Sequence, residues 1–120
     1  MKALIIGASG LVGGNCLKYF EAQGWETLGT YFSYEIEGLH FYNTLNPADA
    51  KNASIENFNA DVVVHCGALT WVDYCEENPE ESFEKTVTST KNALELAKKK
   101  EAKFVYFGTD YVFNGEKGFY

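Results

Sequence analysis

The stretch ALIIGASGLVGG, residues 3–14, decides the fold class of this chain. It opens with four apolar residues without polar alternation, as is typical of a parallel strand covered on both faces. Glycines follow at positions 7, 10 and 13, and a helix is predicted from Leu11 to about Ala22, ending near Gly24. This strand–loop–helix order predicts a dinucleotide-binding turn, in which helix-start N–H groups face a pyrophosphate. The predicted cofactor-binding residues of the loop are Gly7, Ser9, Gly10, Leu11, Val12 and Gly13.

The rest of the chain alternates between further strands and helices. Strands are predicted at WETLGTYF (25–32), DVVVHCGA (61–68) and KFVYFG (103–108), with a short one in LHFYN (39–43). A helix start is predicted at Asn46-Pro47, and a long helix from Pro79 to about Lys100. Its apolar residues at near-helical spacing are Phe83, Val87, Leu94 and Ala97. The pattern predicts one α/β domain over residues 1–120, a Rossmann-type doubly wound parallel sheet in three α/β/α layers.

Composition excludes several classes of function. The net charge is −7 and there is no arginine, which argues against nucleic-acid binding. The run Lys98-Lys99-Lys100 is interpreted as a solvated helix end. Three scattered cysteines, Cys16, Cys66 and Cys75, predict neither a disulfide framework nor a zinc site, and indicate a reducing, cytoplasmic setting. No stretch has the length or pattern of a membrane span or signal peptide.

Three further strand ends contribute candidate site residues. The second strand ends at Thr30 and Tyr31 without the acid that favours NAD, so NADP(H) is favoured over NAD(H). Hydroxyls of Thr30, Tyr31 and Ser33, or the Lys51 amine, could donate to a 2′-phosphate; alternatively these are plain strand and loop residues. A third strand ends in the small residues Cys66, Gly67 and Ala68, which could face the cofactor or could simply be packed. The last strand is followed by Thr109, whose hydroxyl could contact a substrate carbonyl, and by Asp110, which could instead form a turn.

The histidines are not predicted to do chemistry. His65 lies inside an apolar run and is interpreted as a packed strand residue in preference to a catalytic base. His40 is the only other histidine, so no His-based metal site is predicted.

Three segments together resemble the extended short-chain dehydrogenase/reductases, and within them the dTDP-4-dehydrorhamnose reductase group: GASGLVG, DVVVHCGALTWVDYCEENPE and FGTDYVFNGEKGFY. The resemblance implies a Rossmann domain with a smaller C-terminal substrate part. It implies hydride transfer between NAD(P)H and C4 of a nucleotide-linked 4-keto-sugar, in dTDP-rhamnose biosynthesis. Within that family pattern, Thr109 would orient the substrate carbonyl, and Asn43 falls near an adenine-contacting position.

Two departures from the family pattern qualify this assignment. Thr86 stands where the family usually has asparagine, and no tyrosine in the chain is followed by lysine four residues on. The chain is therefore expected to be the N-terminal, cofactor-binding part of a longer enzyme, inactive alone and able to self-associate into a homo-oligomer through surfaces left uncovered. One alternative is a non-catalytic NADP-binding module like the β subunit of methionine adenosyltransferase. Another is a related NAD-dependent sugar epimerase or dehydratase.

Overall fold

A computed structural model of the chain describes residues 1–32, 34–46, 48–49, 52–66 and 76–107. Within these ranges one parallel sheet is formed by strands at every predicted place, in the order β3-β2-β1-β4-β5. Strand order reverses between β1 and β4, which is the switch point of a doubly wound sheet, so the predicted Rossmann-type fold is confirmed. The strands are β1 Lys2–Ile6, β2 Glu26–Tyr31, β3 His40–Phe41, β4 Val62–His65 and β5 Lys103–Tyr106.

Helices cover both faces of the sheet and complete three layers. Helix α1, Leu11–Ala22, packs its Leu17 and Phe20 against a core that includes Ile5 of β1. On the opposite face lie α2, Ala53–Glu56, and the helix Ser89–Lys99, named α4 below. The core on that side contains Leu4, Ile6, Leu28, Ile55, Val63, Ala93, Leu96 and Ala97. Alternate residues of β1 therefore enter opposite cores, which is why residues 3–6 of this strand are all apolar.

Helix α1 ends as its sequence predicts. Gly24 has φ +83°, the left-handed conformation that ends many helices. Its N–H donates to the Glu21 carbonyl oxygen at 3.0 Å, and the Trp25 N–H donates to that of Phe20 at 3.0 Å. The chain can therefore turn sharply into β2.

The predicted long helix is continuous but changes its winding in the middle. It begins as α3, Pro79–Ser82, passes through a π-helical segment, Phe83–Thr88, and ends as α4, Ser89–Lys99. The π-helical segment has a wider turn than an α-helix, so Phe83 and Val87, which lie within it, do not keep the α-helical spacing to the buried residues of α4. Ala97 is buried as the spacing predicts, but Phe83 is 55% and Val87 38% exposed. A single apolar face across the whole helix is therefore a wrong expectation.

The basic run at the end of α4 is only partly a solvated surface. Lys98 is exposed, but the ammonium of Lys100 donates to the carbonyl oxygens of Ile55 and Phe58, each at 2.7 Å. It also lies 3.3 Å from that of Glu56. Lys100 is thus a cap for α2 and corrects the interpretation of the run. The helix start predicted at Asn46-Pro47 stays a prediction, because Pro47 lies outside the described residues.

Candidate functional site

The glycine loop forms a tight turn directly after β1. Gly7 has φ +80°, a conformation that disfavours a side chain. The Gly10 N–H donates to the Gly7 carbonyl oxygen at 3.2 Å, and the Ala8 N–H donates to the Thr30 carbonyl oxygen at 2.8 Å. The loop is therefore fixed both internally and to the end of β2. Gly7 therefore allows the tight turn, and its predicted contact with a cofactor stays a prediction.

Gly13 lets α1 approach the loop very closely. A Cβ added there would lie 2.1 Å from the Gly7 carbonyl oxygen and 2.9 Å from the Ala8 Cα. At Gly10 the nearest atom to an added Cβ is the Gly7 carbonyl oxygen at 3.6 Å, an ordinary contact. The two glycines therefore differ: Gly13 is needed for packing, whereas space around Gly10 lies open toward solvent.

The first turn of α1 presents backbone N–H groups to the sheet's carboxyl edge. Gly10 is the residue before the helix, and no side chain caps its N–H groups within the described part of the chain. The first turn carries no acidic side chain, and Leu11 is 84% exposed. Free N–H groups and the helix dipole together favour an anion at this position. Ser9, Gly10, Leu11 and Val12 lie around it, and their contact with a cofactor stays a prediction.

Thr30 supports the loop from β2. Its side chain is only 1% exposed, and its hydroxyl oxygen accepts from the Gly7 N–H at 3.3 Å. A buried side chain of this kind does not present its hydroxyl to solvent. Thr30 therefore stabilises the loop and is not exposed as contact with a 2′-phosphate requires.

Removing the Thr30 hydroxyl should loosen the loop. Thr30→Val keeps the shape but leaves the Gly7 N–H without its acceptor, so we expect a loss of about 1 kcal/mol of unfolding free energy. Hydrogen exchange at the Gly7 amide should quicken in parallel. Urea unfolding and amide exchange measure both effects. Thr30→Ser, which keeps the hydroxyl, is the matched control, and equal stability of the two variants would contradict the supporting role.

Tyr31 brings an acid to the end of β2 that the strand sequence does not reveal. Its phenol O–H donates to the Glu35 carboxylate at 2.9 Å, and this bond is the main reason that the pKa of Tyr31 is raised. Both side chains are at the surface. Sequence inspection of the strand end found no acid because Glu35 lies four residues further on, in a loop.

Cys66 stands beside the glycine loop at the switch point. It directly follows β4, and its backbone N–H donates to the Ile6 carbonyl oxygen at 2.9 Å. Burial is the first reason that the pKa of its thiol is raised to about 12; proximity of the Cys16 thiol is the second. Such a thiol stays protonated at neutral pH. Gly67, Ala68, Ser33 and Thr109 lie outside the described residues, so their predicted roles stay predictions.

His65 is a packed core residue, in agreement with its interpretation from the sequence. It is 1% exposed and stacks on Phe104 and Tyr106 of β5, with ring centroids 6.3 and 6.0 Å away. Within the described residues neither ring nitrogen has a hydrogen-bond partner. Burial lowers its pKa from 6.5 to about 4, so it is neutral in the folded chain.

This burial makes stability depend on pH. The unfolded chain protonates His65 below its ordinary pKa of 6.5, whereas the folded chain does so only near pH 4. The contribution of neutral His65 to the free energy of unfolding is therefore fully present above pH 6.5. Up to about 3 kcal/mol of it is lost as the pH falls from 6.5 toward the folded-state pKa of about 4. Urea unfolding of wild type and His65→Leu across this window isolates the effect. A difference in unfolding free energy between wild type and His65→Leu that does not change with pH would contradict this prediction.

Asn43 and Asp49 shape the loop after β3. The Asn43 side-chain oxygen accepts from the Leu45 N–H at 3.0 Å. The backbone N–H of Asn43 donates to the Asp49 carboxylate at 3.1 Å. The Asn43 amide oxygen is therefore occupied within its loop, while its predicted contact with an adenine edge stays a prediction. Thr44 and Ser89 are hydrogen-bonded through their hydroxyls, which ties this loop to α4.

Two further classes of site were searched in the described part of the chain. It contains no group of three His, Cys, Asp or Glu side chains placed to hold a metal ion. None of its helices has both the length and the apolar character needed to cross a membrane.

A parallel doubly wound sheet with an uncapped glycine-loop helix at its switch point defines a nucleotide-binding class of domain. The model of the RmlD substrate binding domain family matches residues 1–120, and the chain belongs to that family.

A solved structure confirms the resemblance to dTDP-4-dehydrorhamnose reductases. It is described as a hypothetical dTDP-4-dehydrorhamnose reductase from Sulfolobus tokodaii, is 31% identical and superposes with a TM-score of 0.85. The match covers 100% of this chain and 43% of that one. The Bacillus anthracis dTDP-4-dehydrorhamnose reductase in complex with NADP has a TM-score of 0.83 over 98% of this chain and 39% of its own. At 20% identity it shows the fold alone.

Two classes of protein are represented among the curated relatives. The probable low-salt glycan biosynthesis reductase Agl14 of Haloferax volcanii is 32% identical over 100% of this chain and 41% of its own length. The methionine adenosyltransferase 2 subunit beta of Xenopus tropicalis is 34% identical over 95% of this chain and 34% of its own. The chain thus spans about two-fifths or less of each relative.

Proposed function

We propose that this chain supplies the cofactor-binding part of a nicotinamide-dependent oxidoreductase that acts on a nucleotide-linked sugar. The proposed reaction is reduction of a 4-keto group, as in the dTDP-4-dehydrorhamnose reductases, in a cytoplasmic setting. The observation that carries the proposal is the glycine loop, whose open N–H groups lie at the switch point of the sheet. The reductases among its relatives support the sugar-nucleotide substrate.

The chain's own residues would bind and orient, and the nicotinamide, when bound, would supply the hydride. N–H groups of Leu11 and Val12 would hold the pyrophosphate, Gly10 would leave room for its approach, and the backbone at Cys66 would border the nicotinamide half. By the resemblance, Thr109 would orient the substrate carbonyl and stabilise its oxygen. No Tyr-x-x-x-Lys pair occurs in residues 1–120, so we expect these residues alone to bind cofactor without turnover.

The finer proposal is a preference for NADP(H) over NAD(H). It is supported by the absence of an acid in residues 30–33 and by the surface position of the Tyr31 phenol. Glu35 is the group that opposes it, because a carboxylate near a 2′-phosphate is repulsive. Calorimetric titration with NADPH and NADH decides between them: tighter binding of NADPH supports the preference, and tighter binding of NADH overturns it.

Gly10→Ala separates cofactor binding from folding. Gly10 has φ −85° and ψ 175°, which alanine adopts readily, and an added Cβ meets only ordinary contacts. Unfolding free energy should therefore change by less than about 1 kcal/mol. Cofactor affinity should fall by on the order of tenfold or more, because the methyl group stands where the pyrophosphate would approach.

Calorimetry and urea unfolding on the same samples test this separation. Unchanged affinity in a folded Gly10→Ala chain would overturn the proposed pyrophosphate site. Thr27→Ala, at an exposed hydroxyl that bonds Glu21 on another part of the surface, is a control that should leave cofactor affinity unchanged.

A second candidate is a non-catalytic nucleotide-binding subunit. The likeness to the methionine adenosyltransferase 2 subunit beta supports it, and the glycine loop suits it equally well. Both candidates predict cofactor binding. They differ in one expectation: only the reductase proposal requires the whole protein to reduce a nucleotide-linked 4-keto-sugar.

A further inference from the structure

Helix α4 binds the loop that follows β3. This loop, residues 43–46, is named the β3 loop below. The Asn92 side-chain N–H donates to the Thr44 backbone carbonyl oxygen at 2.7 Å, and the Ser89 hydroxyl is hydrogen-bonded with that of Thr44. Ser89 is only 3% exposed. One turn of α4 therefore contacts both the backbone and the side chain of a single loop residue, which lies 45 residues before Ser89 and 48 before Asn92.

The bonds to α4 place the β3 loop, whereas its internal bonds only shape it. The Leu45 N–H donates to the Asn43 side-chain oxygen at 3.0 Å, within the loop. The strand before it, β3, is the outermost strand of the described sheet and has only two residues. Helix α4 is by contrast packed in the core, where Ala93 is 0% and Ala97 1% exposed. It is therefore a firm support against which the loop can be fixed.

The β3 loop lies at the carboxyl edge of the sheet, next to the end of β2. Tyr31 of β2 pairs with Phe41 of β3, and the Tyr42 N–H donates to the Tyr31 carbonyl oxygen at 2.9 Å. Thr30, the residue before Tyr31, supports the glycine loop. In a doubly wound sheet the adenosine half of a dinucleotide lies over these strand ends, and the nicotinamide half lies across the switch point. The β3 loop therefore borders the adenosine half of the cofactor site proposed above.

We propose that Asn92 and Ser89 are positioning residues for the adenosine half of the nicotinamide cofactor, which act by fixing the β3 loop before the cofactor binds. The inference rests on the proposed function, since it requires a cofactor over the glycine loop. A loop already in its bound place loses little conformational freedom on binding, whereas a released loop must be ordered by the ligand at the expense of affinity. The carboxamide of Asn92 suits this role because it donates to a carbonyl oxygen without placing a charge between helix and loop.

Asn92→Leu tests the proposal, because leucine has a similar volume and favours a helix but has no donor. Affinity for NADPH and for adenosine diphosphate should fall by a similar factor, on the order of fivefold or more. Affinity for reduced nicotinamide mononucleotide should change by less than about twofold, since that ligand lacks the adenosine half. Titrations followed by nuclear magnetic resonance measure all three affinities, and circular dichroism checks that the variant is folded.

Ser89→Ala is a second variant, which removes a single hydroxyl from the same contact. Its effects should show the same pattern: weaker binding of adenosine diphosphate and unchanged binding of the mononucleotide. It tests the proposal independently if Asn92→Leu does not fold.

Thr90→Val is the matched control. Thr90 lies between the two residues in α4, but its hydroxyl donates to the Thr86 carbonyl oxygen within the same continuous helix. Its removal should weaken the helix without releasing the β3 loop, so affinity for adenosine diphosphate should remain that of the wild type.

Three results would overturn the inference. They are unchanged affinity for adenosine diphosphate in the folded Asn92→Leu and Ser89→Ala chains, an equal loss of affinity for both half-ligands, or an equal loss in Thr90→Val. Failure of the wild type to bind either NADPH or adenosine diphosphate is a distinct result, because it would overturn the proposed cofactor site itself and this inference with it.

Discussion

Gly13→Ala should abolish the native glycine loop. The new methyl group would lie 2.1 Å from the Gly7 carbonyl oxygen, 2.7 Å from its carbon and 2.9 Å from the Ala8 Cα. All three are backbone atoms of a loop already bonded to β2, so none can move without losing hydrogen bonds. We expect a loss of more than about 3 kcal/mol of unfolding free energy, at the upper end of overpacking effects. Urea unfolding followed by circular dichroism measures it.

The adjacent glycine provides a matched control for Gly13→Ala. At Gly14 an added Cβ is 3.3 Å from the Ala8 carbonyl oxygen, so a shift of a few tenths of an ångström suffices. Alanine also favours a helix interior over glycine by about 1 kcal/mol. Gly14→Ala should therefore change stability by no more than about 1 kcal/mol in either direction. If Gly13→Ala were as stable as Gly14→Ala, the close packing of α1 on the loop would be wrong.

Lys100→Met should cause a second large loss of stability, outside the glycine loop. The ammonium of Lys100 donates to three backbone carbonyl oxygens around the end of α2, two of them at 2.7 Å. Methionine keeps most of the side-chain volume but removes the charged donor, so the carbonyl oxygens of Ile55 and Phe58 keep only the backbone N–H groups of Phe58 and Ala60. We expect a loss of about 2 to 3 kcal/mol, since hydrogen bonds to a charged group are stronger than neutral ones. Urea unfolding measures the loss.

Lys98→Met is the control for the charge itself. Lys98 lies in the same run, and its ammonium is 3.4 Å from the Glu95 carboxylate, with both side chains more than 60% exposed. Exposed pairs of this kind contribute little, so the change should cost less than about 1 kcal/mol. Equal effects of the two substitutions would mean that Lys100 acts by general charge and not as a cap of α2.

The sheet and the glycine loop could be predicted because their signals are local. An unbroken apolar run, glycines at fixed spacing and a following helix identify β1, the loop and α1 without reference to distant residues. The parallel order of the sheet follows from alternation of strands and helices. Gly24 could be placed at the helix end for the same reason, since it depends only on its own backbone conformation.

The parts that the sequence did not reveal depend on long-range placement. Thr30 accepts from an N–H 23 residues away, and Lys100 reaches carbonyls 42 to 45 residues away. Glu35 becomes the acid of the β2 end only because a loop returns it to Tyr31. Helical spacing could not predict the exposure of Phe83, because the π-helical segment changes the period on which the prediction rests.

The most direct test of the central claim is to follow the backbone amides of the chain by nuclear magnetic resonance during titration with NADPH and NADH. A pyrophosphate bound at the start of α1 should shift the amides of Gly10, Leu11 and Val12 most, and Gly10→Ala should remove those shifts while the spectrum stays that of a folded chain. The account would be contradicted if these amides stayed in place at saturating cofactor, or if the largest shifts fell at the opposite edge of the sheet, around Lys2 and Phe58.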